Sequence, residues 1–262
     1  TSKTQNTINQ GKMLESLQFK SSILNKNVNY SIYLPPGYNK STRKYPVVYL
    51  LHGFTDDENA WIQFGEIQLT ADRGIANRTI PPMVIIMPDA GLTWYVNNYD
   101  GSVRYEDMFF KELIPYMEKK YRIRQDKEFR AVSGLSMGGY GSLIYSLHHP
   151  EMFSACVAFS SGVFTDKEII NMEQEAYNER FAHVFGKNLA GKKRLTDHYY
   201  ENSVLYLLEN MSEKQKDEVA FYLDCGDDDP LYKGNSTMHI IMRDKKIPHE
   251  YRVRQGGHEW KY

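Results

Sequence analysis

Apolar and polar positions alternate along the first part of the chain. Leu17, Phe19 and Ile23 fall on one side of an alternating run, and Val28, Tyr30, Ile32 and Leu34 alternate with Asn29, Ser31 and Tyr33. With "NKN" between them, the two runs predict an antiparallel hairpin, ended by "PPGY" at 35–38. The pattern then changes. "YPVVYLL" (45–51), "PPMVIIMP" (81–88), "FRAVSG" (129–134) and "SACVAFS" (154–160) are continuous apolar runs, as expected of strands covered on both faces. "EVAFYLD" (218–224) and "HEYRVR" (249–254) complete the strand set.

Helical spacing lies between these runs. Phe110, Leu113, Ile114 and Met117 recur at i, i+3, i+4 and i+7, with Pro115 expected to bend that helix. Tyr140, Leu143, Ile144 and Leu147 repeat the spacing. Strands alternating with helices predict an α/β fold: a mainly parallel central sheet with right-handed crossovers and helices on both faces, preceded by the hairpin. Residues 163–217 separate two strands by far more than a crossover needs, and they read as a cap-like insertion that shapes the pocket. Residues 1–12 are polar and read as a flexible tail, leaving 13–262 as a single domain.

Composition adds exclusions. The chain has 262 residues, 41% hydrophobic and 25% charged, with a formal net charge of -1, so there is no electrostatic case for nucleic acid or an anionic membrane. No apolar run approaches the roughly 20 residues of a membrane helix. Cys156 and Cys225 stand singly in or beside apolar runs, which predicts buried thiols rather than a disulfide or a zinc site. The polar start "TSKTQN", without methionine, fits a mature exported chain or a trimmed one. Nothing in the sequence sets an oligomeric state.

The chemistry concentrates at "GLSMG" (134–138), a G-x-S-x-G after a predicted strand and before a predicted helix. Glycines two residues either side of Ser136 remove the Cβ atoms that a sharp strand-to-helix turn would bring into collision. The serine then projects from the strand ends as a nucleophile, with the Met137 amide aimed to hold an oxyanion. The order on such a sheet is serine, then an acid, then histidine. "CGDDDPLY" offers Asp227, Asp228 and Asp229 at the end of a strand; their contiguity does not fit a calcium loop. His258 in "RQGGHEW" is the only histidine after that acidic turn that lies on a post-strand loop. "YLLHGF" places His52 and Gly53 directly after a buried strand, where a turn at Gly53 faces the Phe54 amide to the serine and leaves His52 structural. Trp94 and Tyr95 follow another strand end and Trp260 sits beside His258, so all three are candidate substrate contacts. Twenty tyrosines and three tryptophans suit a sugar or phenolic pocket.

These segments together resemble the esterase D-like α/β-hydrolases. That group includes the family 1 carbohydrate esterases (feruloyl and acetylxylan esterases), the S-formylglutathione hydrolases and small-acyl esterases. "LLHGFTDDENAW", "MPDAGLTWYVNN", "AVSGLSMGGYGSL", "CGDDDPLY" and "QGGHEW" stand in family order across most of residues 15–260. The resemblance implies an α/β-hydrolase fold with Ser136 as nucleophile, His258 as general base, and Asp229 as the acid. It also implies the Phe54 and Met137 amides as the oxyanion hole, and no cofactor or metal. Residues 163–217 match the family poorly, and the family usually continues past the position of Tyr262 into a final helix. The expected activity is removal of feruloyl or acetyl groups from plant cell-wall carbohydrate by an exported enzyme. Cytoplasmic cleavage of S-formylglutathione, general small-acyl hydrolysis, acyl transfer to a sugar, and a non-catalytic carbohydrate-binding relative are the alternatives.

Overall fold

A computed structural model of the chain describes residues 10–261. Eight strands form one sheet in the order β1-β2-β4-β3-β5-β6-β7-β8. They are β1 (Lys12–Ser21), β2 (Lys26–Leu34), β3 (Val47–Leu51), β4 (Val84–Pro88), β5 (Arg130–Leu135), β6 (Ala155–Phe159), β7 (Ala220–Gly226) and β8 (His249–Arg254). β1 pairs antiparallel with β2 and β2 with β4, while β3 to β8 are mutually parallel. The parallel strands all end on one side, and ligands of such sheets bind beyond those carboxyl ends.

Period-two alternation divides the core between two faces. Ile32, Tyr49, Leu51 and Ile86 belong to the large cluster, closed by the helix Met137–His148 and the helical stretch 105–120. Tyr33, Leu50, Ile85 and Met87 point the other way, into a smaller cluster under the helix Ile67–Ala76. This explains where the hairpin pattern misled. Ser31 and Tyr33 alternate with the apolar positions of β2, yet both are buried, and the Tyr33 hydroxyl donates to Asp72 at 2.6 Å. Ile23 lies in the turn between β1 and β2, not on a strand. The expected tail lies outside the described residues up to residue 9. Gly11 is held by Asp72 at 2.8 Å and Lys12 already opens β1.

The helical stretch 105–120 departs from plain 3.6-residue spacing. A π-helical turn, Phe109–Leu113, precedes the α-helix Ile114–Lys120 with Pro115 in its first turn. Proline supplies no N–H to the preceding turn, and the wider turn absorbs the loss. The register therefore moves by one residue, so Phe109 is buried and Phe110 only partly.

Between β6 and β7 the chain forms helices Asp166–Asn171, Gln174–Arg180, Ala182–Phe185, Asp197–Glu201 and Val204–Glu209. Their apolar side chains, among them Ile169, Phe181, Tyr199 and Leu208, join the large core cluster. Arg194, 2% exposed, ties the segment together through the carbonyls of Ile169 (2.9 Å) and Met172 (2.7 Å) and stacks over Tyr177. Both cysteines are free and buried, and burial pushes each thiol up to about 12. No helix among the described residues is long and apolar enough to cross a membrane.

Candidate active site

β5 runs straight into Ser136, which takes φ 55° and ψ -117° before the helix Met137–His148 begins. A residue with a side chain pays roughly 1–3 kcal/mol for such a conformation, so the surroundings must hold it. They do so through its backbone. Ser136 N–H donates to Phe159 O at 2.9 Å, and Ser136 O accepts from Gly162 (2.7 Å) and Tyr140 (3.0 Å). The flanking glycines are required by contact. A Cβ on Gly134 would lie 2.4 Å from Gly138 O, and one on Gly138 would lie 2.3 Å from Leu51 O. Both obstacles are backbone, so neither position accepts a side chain without moving the sheet.

The loop after β8 brings His258 over this turn. His258 Nε2 lies 2.9 Å from Ser136 Oγ, and Nδ1 lies 2.8 Å from Asp229 Oδ2. Asp229 follows β7 and is fully buried, whereas the neighbouring Asp227 and Asp228 are exposed. Asp227 accepts from the Gly256 amide at 3.0 Å and so steadies the His258 loop. Asp229 Oδ1 accepts from the Leu231 amide at 2.8 Å. Burial alone would raise the Asp229 carboxyl, but hydrogen bonds from His258, the Leu231 amide and Ser160 outweigh it and hold the group below the ordinary carboxylate range. The carboxylate is therefore ionised and oriented beside the imidazole.

On the opposite side of Ser136, the turn after β3 closes in. A Cβ on Gly53 would come within 3.7 Å of Ser136 Cβ. Neither the Phe54 nor the Met137 N–H has an acceptor among the described residues. His52, 1% exposed, is fully engaged elsewhere: Nε2 accepts from the Ala90 amide at 2.9 Å and Nδ1 donates to Gly53 O at 2.8 Å. It pins the Gly53 turn to the end of β4. His239 and His249 bond each other at 2.8 Å, away from the serine.

A cavity of about 340 Å³ opens over Ser136 and His258, walled by Phe54, Trp61, Phe159 and Trp260. Trp260 stands edge-on to Trp61 at 5.0 Å and packs on Phe64 at 5.8 Å. Two carboxylates, Asp56 and Glu259, also border it, with no lysine or arginine among its lining residues. Burial raises the Asp56 carboxyl above its usual range.

Two expected substrate contacts are elsewhere. Trp94, 4% exposed, donates its indole N–H to Arg180 O at 2.9 Å and packs on Phe181 and Tyr140. Tyr95 is fully buried and its hydroxyl donates to His52 O at 2.9 Å. The chain turns inward at both, with φ of 53° and 63°, and carries them under the strand ends rather than onto the rim. Residues 163–217 contribute none of the residues lining this cavity, because their apolar faces close onto Trp94 and the core. Trp61 and Asp56 were missed. Both lie in the quoted "HGFTDDENAW", where only the first three positions had been given a role.

The family model described as "Putative esterase" matches residues 21–262. The bifunctional endo-1,4-beta-xylanase/feruloyl esterase of Xylanibacter ruminicola is 35% identical over 173 residues, which is 62% of this chain and 23% of that protein. An esterase of Mycobacterium tuberculosis is 26% identical over 260 residues, 92% of this chain and 54% of that one. The chain thus spans about a quarter and about half of these curated relatives. A solved ferulic acid esterase superposes with a TM-score of 0.83 at 32% identity, covering 97% of this chain and 93% of the other. With the sheet order, the sharp turn at Ser136 and a family match over nearly its whole length, the chain belongs to the esterase family and has the α/β-hydrolase fold.

Proposed function

We propose that this chain is a serine carboxylic-ester hydrolase that removes feruloyl or acetyl groups from plant cell-wall carbohydrate. The observation that carries the reading is the unbroken hydrogen-bonded series Asp229–His258–Ser136, at 2.8 and 2.9 Å. His258 Nε2 takes the Ser136 proton as Oγ attacks the ester carbonyl. The carbonyl oxygen, now negative, is held by the Phe54 and Met137 amides. As the tetrahedral adduct collapses, the alcohol leaves with the proton from His258, and the acyl group stays on Ser136. Water then attacks the acyl-enzyme by the same route. Asp229 keeps the Nδ1 proton in place and stabilises the imidazolium.

The acyl class is argued from the relatives and from the cavity. The names of the Xylanibacter relative and of the superposed ferulic acid esterase favour it. The cavity adds a physical argument, since its size and four aromatic walls suit a flat ring. Its carboxylates, with no lysine or arginine beside them, disfavour the anionic glutathione conjugate. A cell-wall polymer does not enter cells, so on this reading the enzyme works outside the cytoplasm.

The test is release of ferulate and acetate from arabinoxylan fragments beside cleavage of S-formylglutathione. Ser136→Ala should abolish all of these, by as much as about 10⁶-fold in turnover. Retention of a few per cent of activity by pure variant would remove the nucleophile assignment. A kcat/KM for the thioester a hundredfold above the feruloyl ester would overturn the substrate.

A further inference from the structure

A second recess, of about 800 Å³, opens between residues 97–101 and the helices Asp197–Glu201 and Val204–Glu209. His148 borders it. Ser136 precedes the 12-residue helix Met137–His148, so the two sites lie roughly 18 Å apart at about 1.5 Å per residue.

Two polar side chains in the wall of this recess each keep one unpartnered atom beneath its surface. Asn98 is 8% exposed; its Nδ2 reaches Ser102 Oγ at 3.3 Å, and its Oδ1 has no partner among the described residues. His198 Nε2 is buried in the same condition. Both atoms are covered by the wall, so an occupant meets the exposed lining rather than these two groups. Asp197 and Glu201 add exposed acceptors, so the occupant must be rich in donors. Tyr99 and Tyr206, 40% and 45% exposed, present flat apolar faces at the rim. Phosphates and carboxylates are disfavoured, because Asp197 and Glu201 line the recess, Glu106 is paired with His148, and no lysine or arginine is among the lining residues. A sugar ring combines hydroxyl edges with an apolar face and meets both demands.

We propose that this recess is a non-catalytic carbohydrate-binding site that holds the neutral backbone of the substrate polymer while its ester group sits at Ser136. Identifying the sugar as cell-wall carbohydrate rests on the function proposed above; the site itself rests on the recess. Holding the polymer at two points turns delivery of the ester into an intramolecular step.

The experiment titrates Ser136→Ala, which binds without turnover, with unesterified xylo-oligosaccharides, followed by amide NMR shifts and calorimetry. Shifts should appear at residues 97–101 and 197–206. Adding Tyr206→Ala, an exposed position, should weaken binding at least tenfold. In the otherwise native chain, Tyr206→Ala should leave hydrolysis of 4-nitrophenyl acetate unchanged and slow release of acyl groups from polymer. Shifts confined to the Ser136 cavity, unchanged affinity in Tyr206→Ala, or occupation by spermidine instead of sugar would each overturn the proposal. If the native chain hydrolyses no ester while sugar still binds at this recess, the catalytic reading falls and this one stands.

Discussion

Asp229→Asn tests the proposed chemistry at its most specific point. The two carboxylate oxygens do different things: Oδ1 accepts from the Leu231 amide at 2.8 Å and Oδ2 from His258 Nδ1 at 2.8 Å. An asparagine keeps the shape but turns one acceptor into a donor. If the NH₂ faces Leu231, two N–H groups oppose each other and a buried bond is lost, at roughly 1–3 kcal/mol. That penalty, a factor of about 5–150, drives the NH₂ toward His258 instead. Nδ1 must then accept, the ring proton moves to Nε2, and the imidazole donates to Ser136 Oγ rather than accepting its proton. The imidazolium also loses its neighbouring charge. Together the two effects should lower kcat by about 10⁴, or about 5 kcal/mol at 1.36 per tenfold. KM on 4-nitrophenyl acetate and the melting temperature should change little, because the amide retains a bond to each neighbour. Asp227→Asn and Asp228→Asn, at exposed positions, should keep most activity. A loss under tenfold for Asp229→Asn, or an equal loss for Asp228→Asn, would refute the argument.

Other outcomes follow from the same contacts. Trp260→Ala should reduce kcat/KM for feruloyl esters far more than for acetyl esters, measured side by side, since it removes one wall of the cavity. Trp94→Ala, by contrast, should cost about 3–5 kcal/mol in urea unfolding and lower activity on every substrate alike. Gly138→Ala should destabilise by about 3 kcal/mol or more, because the 2.3 Å contact with Leu51 O leaves only backbone to move; a melting temperature equal to wild type would contradict the packing. Glu106 accepts from His148 at 2.8 Å and His149 at 3.1 Å. Burial opposes both charges, yet the pairing holds Glu106 below its ordinary 4.5 and raises His148 above its ordinary 6.5. The Glu106 contribution is present above 4.5 and lost as pH falls through its lowered value; that of His148 is full below 6.5 and lost as pH rises through its raised value. Glu106→Gln should therefore cost more stability at pH 5.5 than at pH 8.5, read by urea melts at both.

The site was legible where chemistry dictates backbone shape. Gly134 and Gly138 around Ser136 announce a turn that admits no side chain, and strand order alone puts the 227–229 turn and His258 at strand ends, while the choice of Asp229 among the three aspartates comes from the family resemblance. The aromatic residues were less readable, because a tryptophan serves a core and a binding wall equally well. What separates Trp94 from Trp260 is the positive φ at Trp94, a local turn with no signature in apolar periodicity. Tyr33 and Ser31 alternate like residues on a wet face, but a second helical layer covers them, and only the tertiary structure shows that layer. Residues 163–217 were expected to shape the pocket but do not line the Ser136 cavity, since amphipathic helices declare an apolar face without declaring what it covers.

The loop after β8 carries two functions on one short span. His258 reaches Ser136, and Trp260, two residues on, stands against Trp61 and Phe64 as part of the cavity wall. Both belong to an exposed loop steadied from one side by Asp227. A ring seated against Trp260 therefore immobilises the same few residues that must hold the imidazole at the serine. On the proposed function, recognition of the acyl group and alignment of the base become one mechanical event, so a well-fitting acyl chain is rewarded in turnover rather than in tighter binding. Selectivity in such a design is exercised after the substrate has arrived, by how firmly it sets the loop.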